Sequence, residues 1–352
     1  MIRNTIRFKK ESGIMKYVAM PTFDIRTNLA TEQYLMAKED IEMPLVLFYI
    51  QKPCVIIGRN QNTLEEINQS YCESQNIIVT RRLSGGGAMY DDLGNLSFSF
   101  IVPADRQRFG DFKTMVAPIV KALHRLGVAG AKVTGRNDIV VEGKKFSGNA
   151  MYTKGGRTFS HGTLMLDVDM NQITKALNVP QDKIKSKGIK SVRNRVTNLR
   201  PYLAEEYRNI TTEEFRDFII KSLLDVKSMA EARRFSYNLT PKDQAEITKL
   251  EQRYYRNWDW VYGQSPEFTL KKRQHFTSGT IDARVLVEQG RVKNIRFLGD
   301  YFGTKDVAHL EEILVGKPFD PVKIREVLAT KDVNSYFQGI NSQQIVELLF
   351  GL

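Results

Sequence analysis

The 352-residue sequence is poor in the residues that most often announce chemistry. Its two cysteines, Cys54 and Cys72, form no CxxC pair and no disulfide framework, which fits a reducing compartment and makes a cytoplasmic location the expectation. Its four histidines, His124, His161, His275 and His309, are far apart, which argues against a metalloprotease-type helix or a zinc knuckle. No apolar run approaches bilayer length, so no membrane role is expected. Internal repeats and low-complexity tracts are absent as well. The length allows one large domain, or a large and a small one.

Positive charge is what the chain has in excess: 52 Lys and Arg against 40 Asp and Glu, a net +12. Such a balance suggests an acidic partner. Part of it is local. Residues 181–200, "QDKIKSKGIKSVRNRVTNLR", hold Lys183, Lys185, Lys187, Lys190, Arg193, Arg195 and Arg200 against Asp182 alone. Aromatic interleaving is missing there, which argues against nucleic acid. The basic residues 1–14 lack the apolar core of a secretory signal and are expected to be a disordered extension or the result of an upstream start.

Periodicity places a helix from about Thr27 to Asp40 and two buried strands in "PLVLFYIQKPCVIIGRNQN", the second ending at Gly58. A second helix carries Phe112, Met115, Val116, Ile119, Val120 and Leu123 on one face, kinks at Pro118 and ends at Gly127. A β-meander follows, turning at Gly143 and at Gly155-Gly156. Thr211 and Glu214 spell a capping box. A hairpin turns at Gly290, and a further helix opens at Asp320-Pro321. Composition shifts near residue 255, which divides the chain into a catalytic domain over 15–255 and an accessory domain over 256–352.

One stretch does not look like packing. "RRLSGGGAMYDDLGNLSFSF", residues 81–100, sets two arginines before three glycines. Alone, the glycines read as a turn, and they spell neither a P-loop nor a dinucleotide fingerprint. With Arg81 and Arg82 beside them, their N–H groups are suited to surround an anion. In "EGKKFSGNA", strict alternation would send Lys145, Ser147 and Asn149 to one face, and Gly148 marks a close approach. Asn137 and Asp138 open a strand and suit Mg²⁺. His161, a lone strand histidine followed by Gly162, is more often structural than catalytic. These residues describe an anion site suited to nucleotide handling and name no substrate.

In this order and spacing, "RRLSGGGAMYDDLGNLSFSF", "GRNDIVVEGKKFSGNAM", "FSHGTLMLDVDM" and "SKGIKSVRNRVTNL" resemble the bacterial lipoate–protein ligases, from about Met15 to the C-terminus. The resemblance implies an α/β (α+β) fold: a biotin/lipoate-ligase-like catalytic domain with mixed β-sheets, and a small α/β accessory domain. It implies activation of lipoate by Mg-ATP to lipoyl-AMP and pyrophosphate. The lipoyl group then passes to a lysine of an acceptor domain, in 2-oxoacid dehydrogenase complexes or the glycine-cleavage H protein.

By the same resemblance Lys145 is the central lysine, holding carboxylate and α-phosphate, and Arg82 contacts nucleotide and lipoate. Gly87, Ala88, Met89 and Tyr90 face ATP, with Asn137 and Asp138 near the metal and phosphates. Ser84, Gly85 and Gly86 line lipoate, and His161 and Gly162 belong to the same lipoate set. Lys187, Gly188, Ser191, Val192, Arg193 and Arg195 correspond to the adenylate-binding loop. One departure stands out: Asp91 replaces the histidine usual in the family, and is expected to face outward or to tune acceptor binding. A transferase working without a cysteine, and a non-catalytic module binding a carrier or RNA, are the alternatives left open.

Overall fold

Short apolar runs in the first two-thirds of the chain assemble into a mixed sheet. A computed structural model describes residues 15–105, 109–135, 137–178, 195–262 and 270–351. The extension 1–14, and Lys187, Gly188, Ser191, Val192 and Arg193 of the expected adenylate loop, lie outside the described residues. The first strands are β1 Lys16–Ala19, β2 Leu45–Tyr49, β3 Cys54–Ile57, β4 Ile78–Arg81, β5 Met89–Asp91 and β6 Asn95–Pro103. They are followed by β7 Lys132–Thr134, β8 Asp138–Val141, β9 Lys144–Lys154 and β10 Arg157–Met165. The large sheet has the order β1-β2-β6-β10-β9-β8-β7, and a small sheet has the order β4-β3-β5. Only β1 and β2 pair in parallel within the large sheet; its other neighbours are antiparallel.

All five residues of β2 are buried, as a strand covered on both faces requires. The alternation of β6 would ordinarily mark a half-exposed strand, with Leu96, Phe98 and Phe100 inward. Yet Asn95, Ser97 and Ser99 on its other face are buried too. Helix α1, Ile25–Ala37, lies on that side: its Glu32 hydrogen-bonds His161, whose strand neighbour is Ser99. It starts two residues before the expected helix because Asp24 caps it, accepting from the Arg26 N–H.

Helix α2, Phe112–Arg125, keeps Pro118 inside and stops before Gly127, which takes a left-handed φ of +95°. Helix α3, Thr212–Leu224, begins with the expected capping box. Helix α4, Pro241–Leu250, carries a second box, Thr240 with Asp243, whose "TPKD" spelling was equally legible.

Contacts divide the chain into two compact units: 1–56, 67–80 and 89–257 in one, and 57–66, 81–88 and 258–352 in the other. The second unit holds β11 Leu270–Phe276, β12 Gly279–Glu288 and β13 Arg291–Gly299, an antiparallel sheet in that order. Gln289 and Gly290 both have positive φ in the β12–β13 turn, the backbone a tight hairpin needs. Helices α5 Ala308–Leu314, α6 Pro321–Ala329 and α7 Ser342–Phe350 complete it, with Asp320 capping α6 as read from the sequence. Its core is mainly aliphatic, with an aromatic cluster in which Phe337 meets Phe297 and Tyr301 edge-on. Among the described residues no helix is long and apolar enough to cross a membrane.

Candidate functional site

In the first unit the site residues are arranged by an irregularity in the meander. Ile139 pairs with Ser147 but Val140 pairs with Lys145, so one residue of β9 is extra and a bulge forms at Phe146. The bulge overturns the expected alternation. Lys145 leaves the face of Ser147 and Asn149 and joins the face of Gly148 and Asp138, which are register partners. There its Nζ lies 2.6 Å from Asp138 Oδ1. A Cβ on Gly148 would sit 3.0 Å from that Nζ. The close approach expected at Gly148 is therefore made by the chain's own lysine.

Backbone and charge both tie Lys145 down. Its N–H donates to Arg195 O, and its carbonyl accepts from Thr197 N–H, each at 2.8 Å. Arg195 NH2 reaches Asp138 Oδ2 at 3.3 Å, so among the described residues this carboxylate faces both Lys145 and Arg195.

On the other face Asn149 donates from Nδ2 to Asn137 O at 3.0 Å, and Asn137 donates from Nδ2 to Asn149 O at 2.5 Å. Among the described residues, Asn149 Oδ1 is buried without a hydrogen-bond partner. That amide occupies the space a side chain at residue 162 would need, which makes Gly162 a steric requirement (a Cβ there would lie 2.1 Å from Oδ1).

The Lys145 face continues across the sheet, because alternation carries it to Thr163 and His161 on β10. These two pair with Ser97 and Ser99 on β6. His161 Nδ1 is 2.9 Å from Glu32 Oε1, and both side chains are buried. Sequence reasoning missed Glu32: nothing in a helix pattern says which residue will cover a strand histidine.

Asp91 is 1% exposed and faces inward, against the expectation that it points outward. Gln51 Nε2 and Ser97 Oγ donate to its Oδ2. Burial, and secondarily the charge of Asp92, push the pKa of this carboxyl well above the usual range, against the hydrogen bonds from Gln51 and Ser97, which lower it. Asp92 instead accepts from the N–H groups of Gly94 and Asp169. Tyr90 is buried beside them, its hydroxyl pushed upward by burial and by Asp92.

The glycine loop belongs to the second unit, apart from Met89 and Tyr90 at its end. Arg82 donates from Nε to Ser84 Oγ at 3.1 Å, and from NH2 to the carbonyls of Gly85 and Gly87, both at 2.8 Å. Gly86 between them has φ +92°, a conformation that favours glycine. Among the described residues the N–H groups of Gly85, Gly86, Gly87 and Ala88 make no hydrogen bond. Carbonyls turned to an arginine, with amides unengaged, are what an anion nest requires.

Arg81 does not share the task expected of it. Its guanidinium donates to the carbonyls of Gly58, Arg59, Gln61, Trp260 and Val261 and to Thr63 Oγ1. Burial, then the nearby charges of Arg59, Arg296 and Arg82, lower its pKa to about 9. It is a structural cation.

Among the described residues no three His, Cys, Asp or Glu side chains gather as a metal cage. The Asp138 carboxylate and the Asn137 amide, expected from the sequence to hold magnesium, do not converge: Asn137 Nδ2 is turned to Asn149 O on one face of the strand, while the two Asp138 oxygens face Lys145 and Arg195 on the other. Neither cysteine suits a nucleophile: Cys54 and Cys72 are buried, and burial raises both thiols.

A family model for the lipoyl protein ligase A/B catalytic domain matches residues 24–224, more than half of the chain, and one for the bacterial lipoate protein ligase C-terminus matches residues 265–349. The chain belongs to the lipoate–protein ligase family. It is 44% identical over 327 residues to lipoate-protein ligase LplJ of Bacillus subtilis, covering 93% of this chain and 97% of that protein. It is 42% identical over 336 residues to lipoate–protein ligase 1 of Staphylococcus aureus, covering 95% of this chain and all of that one.

The fold is shared with P. falciparum LipL1, solved in complex with lipoate, at a TM-score of 0.70 and 23% identity over 90% of this chain and 95% of that one. A bipartite lipoate protein ligase from Thermoplasma acidophilum, solved with its E2 lipoyl domain, matches at a TM-score of 0.60 and 26% identity, covering 74% of this chain and 100% of that one. The α/β architecture expected from the sequence, mixed sheets followed by a smaller α/β part, is the architecture of this family.

Proposed function

We propose that this chain joins lipoate to protein in two steps, with lipoyl-AMP as the intermediate. The observation that carries the reading is the presence, in one chain, of both the catalytic domain and the ligase C-terminus of the family. A lipoate-protein ligase A solved with bound ATP shares the fold, at a TM-score of 0.57 and 24% identity. That likeness supports ATP as the second substrate.

In the first step a carboxylate oxygen of lipoate attacks the α-phosphorus of ATP, the bridging P–O bond breaks, and pyrophosphate leaves. Two anions must meet, so the residues that matter are cations and N–H donors. Lys145, aligned over Gly148, would hold the carboxylate and the α-phosphate. The amides of Gly85 to Ala88, ordered by Arg82, would take phosphate and carboxylate oxygens, with Ser84 on the lipoate side and Met89 and Tyr90 on the nucleotide side. Thr163 and His161, with Ser97 and Ser99, would line the acyl chain, and Gly162, whose other face is filled by the Asn149 amide, would take part only through its backbone.

In the second step the neutral amine of an acceptor lysine attacks the acyl carbon, AMP leaves, and the amine proton is lost. No enzyme nucleophile is needed, which agrees with the burial of both cysteines. We assign catalysis to 15–255 and an accessory role to 256–352. The acceptors would be lipoyl domains of 2-oxoacid dehydrogenase complexes or the glycine-cleavage H protein. The free cysteines favour a cytoplasmic setting.

The test is pyrophosphate release from Mg-ATP with and without lipoate, with mass spectrometry of the product. Lipoate-dependent release with lipoyl-AMP is expected. Release that ignores lipoate, or none at all by folded protein, would overturn the reading.

A further inference from the structure

Arg195, which the resemblance places in the adenylate-binding loop, has contacts around Lys145 that assign it a further role toward the lysine itself. Asp138 is the shared feature: Lys145 Nζ approaches one of its oxygens at 2.6 Å, and Arg195 NH2 the other at 3.3 Å. The three side chains are partly exposed, at 28%, 19% and 37% for Lys145, Asp138 and Arg195, so their mutual attraction is reduced by solvent, most of all at Arg195. The three-residue segment from Arg195 to Thr197 also closes a parallel bridge on β9 centred on Lys145 and Val196. The same short piece of chain therefore fixes the backbone of Lys145 and competes for the counter-ion of its side chain.

An ammonium that must grip an incoming carboxylate cannot stay fully committed to a carboxylate of its own. A second cation on Asp138 weakens that commitment without removing the pair that aligns the lysine. We propose that Arg195 is a positioning residue which divides the charge of Asp138, leaving Lys145 able to exchange Asp138 for the substrate carboxylate. This rests on the reading of Lys145 as the substrate-holding lysine. The ligand class is an organic carboxylate, and the exchange breaks one ion pair as it forms another, with no covalent change.

The experiment compares wild type with Arg195→Gln, Arg195→Lys and Lys145→Ala. The readouts are lipoate-dependent pyrophosphate release, analysed for kcat and KM, and competitive acetylation of Lys145 followed by mass spectrometry against the exposed Lys323. Arg195→Gln leaves the backbone bridge in place, and a thermal melt checks that it folds.

The expected result is a rise in KM for lipoate of roughly three- to tenfold, the scale of one partly exposed charge contact, with kcat little changed. Acetylation of Lys145 should slow as Asp138 closes on it, and Arg195→Lys should restore both readouts. Unchanged KM and unchanged acetylation in Arg195→Gln would overturn the proposal. So would a fall in kcat at constant KM, because Arg195 would then act on the chemistry. If Lys145→Ala adenylates lipoate normally, the Lys145 reading itself fails, and that result is separable from the others.

Discussion

At the scale of the residue, Lys145 and Asp91 show how burial decides what a charge can do. The Lys145 side chain is partly exposed, with its ammonium against Asp138. Lys145→Ala should abolish lipoate-dependent pyrophosphate release, by roughly 100-fold or more, with its melting temperature near wild type. Near-normal release in the folded variant would remove Lys145 from its role.

Asp91 is the opposite case: a carboxyl sealed among Gln51, Ser97 and β3. Its folded pKa is raised, so its contribution to stability is complete below the unfolded value of 3.8 and is lost as pH rises toward the folded value. Asp91→Asn should match wild type in melting temperature near pH 4, where both groups are neutral, and exceed it increasingly at alkaline pH. A difference that stays flat with pH would mean that Asp91 is not held as the acid. The motif located both residues in the sequence. It did not reveal that one is wet and the other dry, because exposure depends on what packs above a strand.

At the scale of the element, capping was legible and the bulge was not. Thr211 and Glu214 bond reciprocally at the start of α3: Thr211 Oγ1 accepts from Glu214 N–H at 3.1 Å, and Glu214 Oε2 accepts from Thr211 N–H at 2.8 Å. Thr211→Ala should cost about 1 kcal/mol in urea unfolding. No measurable loss would show that the helix is held by tertiary packing alone.

The β9 bulge sits between ordinary strand residues, and its position is set by the pairing of β8 with β9. It carries the lysine to the face of Asp138 and leaves Gly148 beneath the ammonium. Gly148→Ala is compatible with strand backbone but displaces Nζ. KM for lipoate should rise by roughly tenfold in a normally folded protein, as expected for lost binding shared by ground and transition states. An unaffected KM would mean that the lysine has room to spare.

At the scale of the whole molecule, α1 and α4 are joined far apart in sequence by a buried carboxylate. Burial raises the pKa of Asp243, but hydrogen bonds from Tyr34 and Thr240 and the charge of Lys38 outweigh it and hold it at about 2. A depressed folded pKa gives stability that is present above the unfolded value of 3.8 and lost as pH falls toward about 2. Acid unfolding of Asp243→Asn should therefore be flatter across that window; an identical acid limb would show that the cluster is not energetically coupled.

The sequence by itself pointed to the family through "SGGGA", "GRND" and "KKFSGNA" in that order, and the family model matches across the residues that carry them. It also determined the helix starts and the β12–β13 hairpin, since caps and turns depend on neighbours within a few residues. Only the tertiary structure decided that Arg81 is bound to carbonyls while Arg82 orders the glycine loop, that Asp91 is enclosed, and that Asp138 stands between Lys145 and Arg195. The physical reason is range. Capping and turn preferences are local, whereas desolvation and ion pairing depend on groups that folding brings together from distant parts of the chain.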